Sequence, residues 1–156
     1  MTILAILLVG LLTGARTFAP VALVAWASAF GWLDSAGTWV GWLGTPAAAA
    51  VLTLLALGEL YGDKQPEAGN RTVWLALVGR MVVGALAGAA VALGADAALS
   101  GAMGAGLGAA AAAVGTFITF HFRAFCADRM GKDLPAALLE DALVIGGTVL
   151  AIVLTS

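Results

Sequence analysis

Apolar side chains run almost unbroken from Ile3 to Ala29, long enough to cross a bilayer at about 20 residues per span. Four further apolar runs follow, so the pattern predicts about five transmembrane helices. Pro46 opens the second span, which passes through an alanine run to Gly58 and ends near Tyr61. Proline suits a first helical turn, where its missing N–H has no helical partner to lose. The third span covers Val73 to Leu93 and the fourth Leu99 to Phe122. Pro135 opens the fifth, which reaches the C-terminus. Between the first two spans a Gly-rich connector from Phe30 to Thr45 carries Trp32, Trp39 and Trp42, residues that favour the headgroup level. Polar loops at 62–72 and 124–134 separate the others. The fold class expected is all-α, a polytopic transmembrane helix bundle in one domain, 1–156.

Composition agrees with that pattern. The 156 residues are 62% hydrophobic and 10% charged, against about 25% charged in a soluble domain. With 21 glycines, close helix packing rests on small residues. Gly84 with Gly88, and Gly104 with Gly108, have the small-xxx-small spacing that suits helix contact within one chain or across a homo-oligomer. A net charge of −2 and the lack of a basic aromatic patch point away from nucleic acid. The single Cys126 excludes an intrachain disulfide and a cysteine-only metal cluster. No phosphate-binding loop, dinucleotide fingerprint, zinc signature or nucleophile elbow is present, so neither metal nor cofactor is expected. Ala25-Trp26-Ala27 resembles a signal-peptidase site, but no Lys or Arg precedes the apolar run, and Arg16 and Pro20 interrupt it. It reads as a retained span.

Charge then sets orientation. In a five-span chain, the loops holding Lys64, Arg71, Arg123, Arg129 and Lys132 share a side with the N-terminus. The positive-inside rule places that side in the cytoplasm and the C-terminus outside, in a bacterial inner membrane. Arg16-Thr17-Phe18-Ala19 echoes Arg123-Ala124-Phe125-Cys126, and Pro46-Ala47-Ala48 echoes Pro135-Ala136-Ala137. These echoes suggest two inverted helix-pair repeats, 1–66 and 99–156, around the third span 73–93.

The ionisable residues inside spans carry the candidate chemistry. Arg16 lies deep, and an arginine at a helix centre costs roughly 2.5–3.5 kcal/mol on insertion scales. Gly14 and Pro20 flank it and loosen the helix there, which frees backbone carbonyls at membrane depth. Glu59, Arg80, Glu140 and Asp141 lie in other spans, with His121 and Arg123 at a span end. Three arginines against three carboxylates must converge on one another or on water, because a stranded member would cost several kcal/mol. The functional reading is a substrate or proton pathway open to the cytoplasm; the alternative is an ion-pair network that only fixes helix packing. Glu59 and Asp63 share a helix face, but Lys64 and the loop favour a solvated helix end there over a cation site.

Gly14-Ala15-Arg16 with Pro20, Gly58-Glu59-Leu60 leading to Asp63-Lys64-Gln65-Pro66, His121-Phe122-Arg123 and Leu139-Glu140-Asp141-Ala142 occur in order over most of the chain. In these motifs the sequence resembles a family of small bacterial integral membrane proteins known as a domain of unknown function. The resemblance implies a membrane-embedded module whose polar residues belong together, and no activity. The residues themselves favour a small transporter or channel-like permease for an anionic solute or a lipid phosphate, with Glu59 or Glu140 coupling protons. An embedded enzyme for lipid or isoprenoid headgroups, using Glu140, Asp141 and His121, is the alternative. A non-catalytic assembly partner is the third reading.

Overall fold

A computed structural model describes residues 1–63, 74–95, 99–130 and 133–155. The described residues form helices and connecting turns, with no strand. The helices are α1 (Thr2–Ala15), α2 (Phe18–Ala29), α3 (Pro46–Gly62), α4 (Trp74–Gly94), α5 (Gly101–Met130) and α6 (Asp133–Val153). A short 3₁₀ turn, Gly41–Gly44, precedes α3. Three of these helices, within α4, α5 and α6, are long and apolar enough to cross a membrane. α3, with 17 residues, is slightly shorter.

The first apolar run is not the single span that its length suggests. It is two helices of 14 and 12 residues joined at Arg16 and Thr17. Arg16 is extended, with φ −133° and ψ 118°. Pro20 supplies a local cause: in a continuous helix its ring would clash with the carbonyl four residues back, which is that of Arg16. In the broken arrangement Pro20 falls in the first turn of α2, where its missing N–H costs no helical hydrogen bond.

The two halves fold back on each other's direction. α1 runs parallel to α5, since a Cβ on Gly10 would meet Ala111 Cβ at 2.7 Å and one on Gly14 would meet Ala112 O at 2.5 Å. α4 runs antiparallel to α5: Gly84 lies on Ala112, and Gly104 on Gly88 and Ala92. α1 is therefore antiparallel to α4, and its first turn lies toward the Gly94 end. α2 returns to that same end, where the Asp34 N–H donates to the Gly94 carbonyl at 2.9 Å and Leu33 packs against Gly94. α3 then descends antiparallel to α2, tied by Trp26 Nε1 donating to Thr53 Oγ1 at 3.0 Å.

One expectation changes with that hairpin. The N-terminus lies at the opposite end of the bundle from Asp63, Trp74, Arg123 and Arg129, not beside them. Met1 and the end of α6 then share an end, where Ala5 and Ile6 join Ala151 and Ile152 in one buried cluster. The cause is the break at Arg16: the first apolar run goes along the bundle as α1 and comes back as α2.

The core is built for close approach. Gly88 sits on Gly104 and Gly108, and Gly84 on Gly108, so the four spaced glycines pack against one another within the chain. Buried hydroxyls of Thr13, Thr116 and Thr148 donate to the carbonyls of Val9, Ala112 and Val144, each four residues back, at 2.7–2.9 Å. That satisfies them where no water is at hand. Leu54, Leu57, Val82, Val114 and Leu150 point outward, as a lipid-facing surface requires.

Candidate functional site: an ion-pair network at a helix break

Every helix contributes to one polar cluster near the charged end. Arg16 stands at the α1–α2 break, Asp63 caps the end of α3, and Arg80 lies on α4. Arg123 lies on α5, and Glu140 and Asp141 are neighbours on α6. Arg16 is among the largest fully buried side chains, 1% exposed. Its Nε donates to Asp141 Oδ1 at 2.7 Å. Its Nη2 lies 2.7 Å from that same oxygen and 3.6 Å from Glu140 Oε2, without a directed hydrogen bond of its own. Its Nη1 pairs with Asp63 Oδ2 at 2.6 Å.

Asp63 is shared. The same Oδ2 binds Arg123 Nη1, and Arg123 Nη2 donates to the Asp63 carbonyl at 3.3 Å. Arg123 also reaches Glu140 Oε2 at 3.7 Å. Asp63 and Arg123 side chains are 14% exposed against 1% for Arg16, so the network grades from a sealed centre toward the charged end. Beyond Arg16 in the other direction lies the apolar cluster of Ile6, Val9, Val24 and Val91.

The break leaves two helix ends inside the bundle, and each has found an ion. The freed carbonyl of Gly14, at the end of α1, accepts from Arg80 Nη1. The amides of Thr17 and Phe18, at the start of α2, donate to the two Glu59 oxygens at 2.7 and 2.9 Å. A cation at a helix C-terminus and an anion at an N-terminus each match the local dipole. Glu59 thus stands beside the break but on different donors from those of Arg16. Among the described residues no group of histidine, cysteine and carboxylates has metal-site geometry.

Arg16, Arg80, Arg123, Glu140 and Asp141 come together, with Gly14 supplying a carbonyl and Glu59 the adjoining cap. His121 does not join them. It is exposed and in edge contact with Phe120, ring centroids 5.5 Å apart. Two residues from Arg123, it points about 200° away around the helix. The acid–base trio of Glu140, Asp141 and His121 is therefore not assembled. Asp63 is the residue that sequence reasoning set aside, as part of a solvated helix end. Its spacing of four from Glu59 was the available signal, since both lie on the α3 face toward the break. At the opposite end, a cleft of about 330 Å³ is lined by Ser28, Asp34, Ser35 and several glycines.

A family model described as a domain of unknown function, DUF4126, matches residues 3–155, nearly all of the chain. The chain belongs to the DUF4126 family. The match takes in every helix that contributes to the network, so the ion pairs lie within the family's own module. No curated protein and no solved structure matches the chain.

Proposed function

We propose that this chain is a small membrane transporter or channel-like permease for an anionic solute or a lipid phosphate, with the Arg16 network as its polar site. The observation that carries this reading is Arg16 itself: a guanidinium 1% exposed, at a break between two helices, paired with carboxylates from two others. Discontinuous helices whose ends meet inside the bundle are how many transporters hold substrate and coupling ions. A guanidinium presents a planar fork of donors suited to carboxylate or phosphate oxygens. The internal carboxylates Asp63 and Asp141 sit where an anionic ligand's oxygens would sit. Glu59 and Glu140 are the carboxylates able to carry protons beside it. The exposed position of His121 favours transport over acid–base catalysis with that residue.

The charged end of the bundle faces the cytoplasm of a bacterial inner membrane under the positive-inside rule. With the α1–α2 hairpin, both chain ends then lie outside, under the tryptophan-bearing connector. The test is uptake of inorganic phosphate and flipping of a labelled phosphatidate, each in proteoliposomes, for the wild type and Arg16→Gln. Both activities at wild-type rates in a folded Arg16→Gln protein would remove the transport-site reading.

A further inference from the structure

Arg16 is held unequally by its partners. Asp141 meets two of its nitrogens through one oxygen, and Asp63 meets only Nη1. Displacing Asp141 would cost Arg16 contacts at two nitrogens. Displacing Asp63 from Arg16 leaves that carboxylate on Arg123, through both its Oδ2 and its backbone carbonyl. Burying or stranding an ion is what makes most changes in such a site costly. A carboxylate with a second guanidinium already in place avoids that cost. Asp63 also stands at the C-cap of α3, on the side of the network nearest the charged end. An anion arriving from that end meets Asp63 and Arg123 before it meets Arg16.

We infer that Asp63 is the exchangeable carboxylate of the site: an oxygen of a phosphate group replaces it on Arg16 while Asp63 remains on Arg123. The inference rests on the anion reading above and adds the contact that opens and the path of entry. A phosphate oxygen on Nη1 preserves the charge-assisted hydrogen bond that Asp63 gives up. Asp63 is thus both the competitor of the substrate and the bolt on its entrance.

Binding to purified protein in detergent tests this, with inorganic phosphate and short-chain phosphatidate as separate probes. The variants are Asp63→Asn, Asp63→Glu and, as a control for net charge, Asp128→Asn, whose side chain is exposed on α5. Removing the competitor should lower Kd for the probe that binds by about tenfold, the worth of one modest ion pair. Asp63→Glu and Asp128→Asn should stay near wild type. Which probe binds distinguishes a free phosphate from a lipid one. Equal Kd for wild type and Asp63→Asn would overturn the exchange and leave the anion reading standing. Equal tightening in Asp128→Asn would overturn it too, as a bulk charge effect. No binding of either probe to wild type or Asp63→Asn would overturn the anion reading itself. Should Asp63→Asn not fold, Arg123→Gln gives the opposite arm. Asp63 then loses the guanidinium that would keep it in place, and Kd should rise by about tenfold; an unchanged Kd counts against the exchange.

Discussion

Neutralising Arg16 should destabilise the protein in a way that one particular second substitution repairs. In Arg16→Gln, Asp63 and Glu140 keep Arg123 within reach, the latter at 3.7 Å. Asp141 loses the guanidinium that held it at 2.7 Å through two nitrogens, with its side chain 12% exposed. Breaking one side of a buried pair costs up to about 3–5 kcal/mol, because the remaining ion stays desolvated, and the further contact that Asp141 keeps makes this a ceiling. For a chain of this length that corresponds to a fall in melting temperature of roughly 6–20 °C. Arg16→Gln/Asp141→Asn removes both desolvated ions and should recover at least about 2 kcal/mol of the loss. Arg16→Gln/Glu59→Gln should recover nothing, since Glu59 is held by the Thr17 and Phe18 amides rather than by Arg16. Its own loss would subtract about 0.3–2 kcal/mol more, the worth of an anion at a helix N-terminus. Fluorescence-detected size-exclusion after heating gives the melting temperature of each variant without full purification. Rescue by Glu59→Gln with none by Asp141→Asn would refute the pairing described here.

Gly88→Leu should cost at least about 1–3 kcal/mol and lower folded yield in detergent, because a Cβ there would already strike the Gly104 backbone. Gly106→Leu, with open space beyond its Cβ, should be tolerated; equal yields of the two variants would show that the α4–α5 approach is not as close as described. Reporter fusions at the two chain ends should give the same sidedness, outside, as the hairpin requires; an N-terminal reporter active only in the cytoplasm would restore a full first crossing.

Much of the architecture was legible in the linear pattern. Apolar runs set where helices form, because an unpaired backbone group in a bilayer is costly whatever the side chains. Pro46 opens α3 where the sequence placed it, and Thr45 accepts the Ala48 N–H at 3.3 Å as its cap. The in-span charges also announced a cluster, since isolated ions at that depth are too costly to stand alone.

Tertiary structure decided the rest. The stretch from Ile3 to Ala29 is almost unbroken in its apolar character either as one helix or as two, so hydropathy does not record the fold-back. Gly14, Arg16 and Pro20 marked a weak point, but the direction of α2 depends on its packing against α3, through Trp26 and Thr53, and on Leu33 reaching Gly94. The pairing within the cluster is likewise not a property of the sequence. Glu59, Asp63, Glu140 and Asp141 are chemically alike, and only the position of each helix sends Glu59 to backbone amides and Asp63 and Asp141 to Arg16. Asp63 shows the limit most plainly. Beside Lys64 in a polar stretch it reads as solvated, and the arginines that claim it come from α5 and the α1–α2 break, far away along the chain.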